Sequence, residues 1–223
     1  MSSLIFDLET IGTSWETLDE ETQAYLTKFA ETEEKREEIK NTLGFYPLTG
    51  EIVAIGLYDP DKDIKSVYFQ APESDLEHWY EDKGIHYIVG NEATILEKFW
   101  ATIRKYTTFV TFNGREFDCP YVALRSAVHK ITPTRNLLPY RYSDKEHVDL
   151  LDQLTFYRAT RKFTLDYYCK RFGITSPKTE GVTGHDVPDM FAQKRYHEIA
   201  EYCMRDVIAT GDLYTLWRHY IKV

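Results

Sequence analysis

Two acids two positions apart, Asp7 and Glu9, interrupt a run that otherwise reads as a buried strand, Leu4-Ile5-Phe6-Asp7-Leu8-Glu9. Side chains alternate along a strand, so Asp7 and Glu9 share a face with Ile5, while Leu4, Phe6 and Leu8 share the other. Carboxylates this close are unfavourable in a dry interior unless a cation, a proton or water compensates. The same D-x-E spacing recurs at Asp19/Glu21, Asp75/Glu77 and Asp144/Glu146, and a strand end emerging into solvent is the simpler reading of the pair alone. A third acid, Asp118, closes the run Asn113-Gly114-Arg115-Glu116-Phe117-Asp118, ahead of Pro120. By itself it suits the cap of a helix with proline in its first turn. A fourth, Asp206, falls on the apolar stripe of a long helical pattern (Ile199, Tyr202, Cys203, Leu213, Leu216, Trp217, Tyr220), with Tyr202 one turn before it on the same face. The other Tyr-x-x-x-Asp match, Tyr140 to Asp144, follows Pro139 in a stretch without apolar helical spacing. Hard divalent cations take oxygen ligands, and two such ions about 3.5–4 Å apart can hold the attacking and the leaving oxygen of a phosphodiester. Four carboxylates suffice for that chemistry.

The elements that must bring these residues together are legible in outline. Residues 3–9, 51–58, 65–70 and 107–112 are rich in β-branched and aromatic side chains and are bounded by turn formers, which predicts four strands. Asp59-Pro60-Asp61-Lys62-Asp63 predicts a hairpin loop between the second and third. Apolar spacing of three and four predicts helices at 92–105, 119–128, 164–172 and 195–220. That order predicts an antiparallel meander of three strands, a crossover helix and a strand parallel to the first, an α/β layered domain. Residues 14–41 read as a helix with Trp15, Leu18, Tyr25, Leu26 and Phe29 as its apolar stripe, followed by a charged run. Residues 173–193 read as a long irregular connection.

With 223 residues, 43% hydrophobic and 28% charged, the chain is predicted to fold as one domain, 1–223, with a charged helical insertion at about 14–41. No apolar run approaches the roughly 18 residues of a membrane span, and the first residues lack a secretory pattern, so a cytoplasmic protein without membrane contact is expected. Cys119, Cys169 and Cys203 form no C-x-x-C pair and read as buried thiols. No H-E-x-x-H spacing and no Walker-type loop is present, which leaves zinc proteolysis and P-loop nucleotide hydrolysis without support. A net charge of −9 argues at first sight against a nucleic-acid partner. Yet the stretch 14–41 alone carries nine acids and four bases, and the four singled-out carboxylates account for the rest of the excess.

Taken jointly, the motifs resemble the DEDD-type 3′–5′ exonucleases of the ribonuclease H-like fold, tyrosine subtype. The chain is similar to the proofreading exonuclease domain of family-B DNA polymerases and to stand-alone relatives of that domain. Phe6-Asp7-Leu8-Glu9-Thr10 matches the first motif, Asn113-x-x-x-Phe117-Asp118 the second and Tyr202-x-x-x-Asp206 the third; the histidine subtype would want His at position 201, which is Glu201. Residues 163–174 and 199–213 are also family-like, whereas 14–41 is longer than the family's usual link between the first two strands.

The resemblance implies a three-layer fold with a mixed central sheet flanked by helices. It implies Asp7, Glu9, Asp118 and Asp206 as ligands of two Mg²⁺ or Mn²⁺ ions, with Tyr202 holding the attacking water at the 3′ end of single-stranded DNA or, alternatively, RNA. Thr10, Ile11, Asn113 and Phe117 would be substrate contacts. Lys178, with Arg158, Arg161 and Lys162, is expected near the phosphate path, with a solvated surface as the plain alternative for each. Asp149 resembles a recurrent acidic position of the fold and equally suits an ordinary cap. The insertion is open to three roles: a docking surface for a protein partner, a lid, or a packed helix. A binding module with little catalysis is the competing reading of the whole chain.

Overall fold

The computed structural model describes residues 2–178, 181 and 183–222. Its centre is a seven-stranded sheet built from β1 (Ser3–Gly12), β2 (Gly50–Asp59), β3 (Ile64–Phe69), β4 (Trp79–Asp82), β5 (Ile85–Val89), β6 (Thr108–Thr111) and β7 (His147–Asp149). The strand order is β4-β5-β3-β2-β1-β6-β7. β1, β2 and β3 form the expected antiparallel meander, and β6 runs parallel to β1. The sequence reading missed β4, β5 and β7. β7 has three residues, too few to show alternation, while β4 and β5 are a short edge hairpin turned by Lys83 and Gly84, both at positive φ.

The described residues form eight α-helices, α1 (Glu20–Leu26), α2 (Glu33–Asn41), α3 (Glu92–Ile103), α4 (Asp118–Val128), α5 (Leu150–Leu154), α6 (Leu165–Phe172), α7 (Val187–Ala192) and α8 (Tyr196–Tyr220). Leu4, Phe6 and Leu8 pack with Ile95, Leu96, Phe99 and Trp100 of α3 and Tyr121 and Val122 of α4. On the opposite face Ile5, Val53, Val67 and Val110 pack with Ile199, Cys203, Val207 and Trp217 of α8. The result is a three-layer, mixed-sheet α/β fold of the ribonuclease H type. The alternation along β1 sends Asp7 and Glu9 to the α8 side, as expected.

α8 lies close to the sheet because two glycines leave room for it. A Cβ on Gly56, the partner of Asp7 across β1 and β2, would come within 2.7 Å of Val207 Cγ2 and 3.0 Å of Cys203 Sγ. On the helix, a Cβ on Gly211 would meet the Tyr58 ring at 2.8 Å. Along the α8 stripe Tyr214 rather than Tyr220 is buried, its hydroxyl 3.2 Å from Ser3 Oγ, and Tyr220 is exposed.

Residues 14–41 do not form one helix with a packed stripe. A 3₁₀ turn (Trp15–Thr17) is followed by the two short helices α1 and α2, none with a buried residue. Tyr25 and Phe29 are 75% and 84% exposed, so the three-and-four spacing there has no surface to face. The base of the excursion, by contrast, is held hard against β1. Leu43 is buried, and a Cβ on Gly12 or on Gly44 would lie 2.9 Å from the other's backbone nitrogen.

The stretch 173–193 also holds structure that the sequence reading left as connection: a 3₁₀ turn (Gly184–Asp186) and α7, with Val187 and Met190 buried. Residues 179, 180 and 182 of it lie outside the described residues. The three cysteines are free and buried. Among the described residues no helix is long and apolar enough to cross a membrane.

Candidate metal centre

The β1–β2 register shifts between Glu9 and Thr10, a bulge of the kind that re-aims side chains beside functional sites. Before it, Asp7 and Glu9 point under α8; after it, Ile11 turns into the core at 9% exposed and does not line the cleft described below. Asp118 opens α4 behind the cap residue Phe117, which makes no side-chain capping bond, and the Asp118 carboxylate accepts from its own backbone N–H and that of Leu8. The turn before it is held by Asp149, which accepts from the backbone N–H of Asn113 (3.0 Å) and Arg115 (2.9 Å) and also caps α5 through Leu151 N–H (3.0 Å). Asp149 is therefore the clamp of this turn. Asn113 adopts φ 65°, and a Cβ on Gly114 would sit 2.4 Å from Thr111 Oγ1, so the sharp turn requires glycine there.

Asp7, Glu9, Asp118, Tyr202 and Asp206 together line a cleft of about 670 Å³, with Thr10, Asn113 and Phe117. A second cavity of about 380 Å³ adjoins it and is lined by Asp7, Asn113, Asp206, Asp166, Phe163 and Lys178. Asp7 and Asp206 thus stand where the two meet. The four acids feel one another strongly. Burial raises the pKa of Asp7 well above its usual value, and Asp118, Asp206 and Glu9 raise it further. Burial, then Asp206 and Asp118, do the same to Glu9. Burial, with Asp149 adding, pushes Asp118 from 3.8 up to about 7. Asp206 rises to about 6 through burial, held back by the Tyr202 hydroxyl donating to it and by the charge of Lys178.

A divalent cation fits this donor set. Asp118 Oδ1 is buried without a hydrogen-bond partner, an acceptor left for something not of the protein. Cys203 Sγ lies within 4.8 Å of oxygens of Asp7 and Glu9, but its thiol donates to the Asp7 carbonyl at 3.6 Å and burial holds its pKa well above the ordinary value. A protonated thiol is no ligand for a hard ion, so the oxygens remain.

These raised acids predict a pH effect. A carboxylate with a folded pKa above its unfolded value binds a proton on folding, so its stability contribution is greatest below about 3.8 and falls as pH rises towards 6–7. In EDTA the Tm of the protein is expected to drop by several degrees between about pH 5 and pH 8, since each tenfold gain in proton affinity on folding is worth about 1.4 kcal/mol. Asp118→Asn or saturating Mg²⁺ should flatten the curve. A flat curve for the unmodified protein in EDTA, read by calorimetry, would contradict the crowding of charge described here.

The other expected contacts scatter. Thr10 borders the cleft, but its hydroxyl donates to Gly44 O (2.8 Å) and so pins the insertion. Lys178 is exposed and faces Asp206. Arg158 and Lys162 both pair with Glu116, and Arg161 lies 5.3 Å from the Phe163 ring. The sequence reading did not anticipate that Trp15, Glu16, Lys40, Asn41 and Phe45 form one wall of the cleft. Phe45 meets His185 edge to face at 5.6 Å across the groove. No motif marks them; only the position of the insertion directly after the acidic strand hinted at it.

Comparison with known proteins agrees with the geometry. Residues 77–222 match the model of a family described as a predicted 3′–5′ exonuclease related to the exonuclease domain of PolB. Among solved structures, the chain resembles the family B DNA polymerase of the hyperthermophilic archaeon Pyrobaculum calidifontis, with a TM-score of 0.61 and 17% identity, over 97% of this chain and 24% of the polymerase. The chain thus spans about a quarter of that enzyme's length, and the likeness is one of fold. No curated protein matches the sequence.

Proposed function

Since the chain belongs to the family of predicted 3′–5′ exonucleases related to the exonuclease domain of PolB, we propose that it is a metal-dependent 3′–5′ exonuclease. It would act on single-stranded nucleic acid, with DNA favoured, and release nucleoside 5′-monophosphates. The observation that carries this reading is the convergence of Asp7, Glu9, Asp118 and Asp206 on one cleft, with an orphaned buried oxygen on Asp118. The four carboxylates would hold two Mg²⁺ or Mn²⁺ ions, which would supply an activated water and neutralise charge on the phosphodiester. Asn113 lines both cavities and Lys178 the second, so both would border the path of the strand. Chromatography of the digestion products tests which ester bond is cleaved: nucleoside 5′-monophosphates are expected, and 3′-monophosphates would sink the reading.

Tyr202 is 4% exposed, and burial, with Asp206, Glu9 and Asp7 adding, raises its pKa above the ordinary phenol value. It stays protonated at neutral pH, so it orients the attacking water through its hydroxyl and does not deprotonate it. Tyr202→Phe is expected to lower kcat by roughly 10- to 100-fold, below the full effect of a general base, with metal binding by calorimetry unchanged. An unchanged kcat would reassign the hydroxyl to holding Asp206.

The wall formed by the insertion supports a stacking role for Phe45 against a substrate base, since aromatic stacking is worth about 1–3 kcal/mol per base. Phe45→Ala should raise KM for an oligonucleotide at least fivefold with kcat retained. Equal KM values would leave Phe45 with packing against His185 alone.

A further inference from the structure

Away from the cleft, His197 and Glu201 stand one turn apart on α8 and face Asp82, the last residue of edge strand β4. One ligand atom from each lies within 4.8 Å of the others, and none of the three lines the catalytic cleft. We infer that Asp82, His197 and Glu201 form a second metal site, suited to zinc, that fastens the β4–β5 hairpin to α8.

The geometry supports a coordinating rather than a hydrogen-bonded cluster. His197 Nε2 is 3.9 Å from Asp82 Oδ2 and 3.8 Å from Glu201 Oε1, too long for hydrogen bonds. With Zn–N and Zn–O bonds of about 2.0–2.2 Å, tetrahedral ligands stand roughly 3.4 Å apart, so His197 and each of its two carboxylate neighbours need to close by only about half an ångström. The imidazole is already aimed. Its Nδ1 is 2.7 Å from the Tyr80 hydroxyl, and its ring packs at 4.7 Å on Tyr87 and 5.8 Å on Tyr80. A second nitrogen engaged by a fixed polar partner is the arrangement that orients metal-bound histidines; with zinc on Nε2, Nδ1–H donates to the Tyr80 oxygen. One nitrogen and two carboxylate oxygens favour zinc over the oxygen-seeking Mg²⁺, and water completes the four positions.

The cluster holds a cation even without zinc: the Lys83 ammonium sits 3.1 Å from Glu201 Oε1 and 3.9 Å from Asp82 Oδ2. Lys83 lies on the hairpin turn with its side chain 74% exposed, so it swings into solvent when a divalent ion takes its place. That competition gives the inference a test of opposite signs.

Zinc chloride is titrated calorimetrically into the full chain in excess Mg²⁺, with Tm followed in parallel. The unmodified protein should take up one more zinc equivalent than His197→Ala or Asp82→Asn, or bind that equivalent at least tenfold more tightly. Lys83→Ala, which removes the competing ammonium, should bind it several-fold more tightly than the unmodified protein. Turnover of His197→Ala with Mg²⁺ should be unchanged, which separates this site from the catalytic one. Identical zinc isotherms for the unmodified protein and His197→Ala, or weaker binding by Lys83→Ala, would overturn the assignment.

Discussion

Asp7→Asn is expected to give a folded protein, more stable in EDTA than the parent, whose turnover falls by roughly three orders of magnitude or more. The two effects have one cause. Asp7 stands where the two cavities meet, and its pKa is raised by burial and by Asp118, Asp206 and Glu9. Without a metal, its charge is a liability that the fold carries; asparagine keeps the shape and removes the repulsion. With a metal, the same charge is needed to hold the ion, and the amide oxygen is a far poorer ligand for a hard cation. A loss of activity with a loss of stability would mean that Asp7 serves the fold. Thermal melts in EDTA beside single-turnover kinetics in Mg²⁺ distinguish the cases.

Glu92→Ala is expected to cost about 3–5 kcal/mol of stability, because it leaves a buried cation without its partner. Glu92 is 4% exposed at the start of α3 and accepts from four donors: Arg125 Nε (2.8 Å) and Nη2 (2.6 Å), His129 Nε2 (2.6 Å) and the backbone N–H of Ile52 (2.8 Å). Burial alone would raise its pKa; Arg125, Ile52 and His129 outweigh that and hold it below the usual carboxylate range. The network ties α3 to β2 and to α4, which begins at Asp118, and Arg125 Nη1 also donates to Pro47 O (3.1 Å) at the base of the insertion. At about 2–4 °C per kcal/mol for a chain of this size, Tm should fall by roughly 10 °C. Glu92→Gln, which keeps acceptor and shape, should lose less. A fall in denaturation free energy below about 1 kcal/mol for Glu92→Ala would mean that Arg125 finds another partner.

The acidic cleft was legible because acids on a buried strand and on a buried helix stripe break a pattern that the rest of the chain obeys. Asp7, Glu9 and Asp206 each stand out in that way, and Tyr202 stood out only through its spacing from Asp206. Asp118 and Asp149 did not separate so cleanly, since a cap and a candidate ligand look alike in sequence; the orphaned oxygen of the one and the three backbone donors of the other tell them apart. The insertion shows the opposite failure. Tyr25 and Phe29 have helical spacing, but spacing does not say whether a partner surface exists, and none covers them among the described residues. Glu92 reads as an ordinary acid in a first helical turn, because its partners arrive from 33, 37 and 40 residues away.

Digestion of 5′-labelled single-stranded DNA and RNA with Mg²⁺, Mn²⁺ or EDTA, beside Asp206→Ala, tests the central claim most directly. A ladder shortening from the 3′ end in the presence of metal, absent in EDTA and in the variant, is the expected result. Intact oligonucleotides under every metal, or an undiminished ladder from Asp206→Ala, would contradict the site.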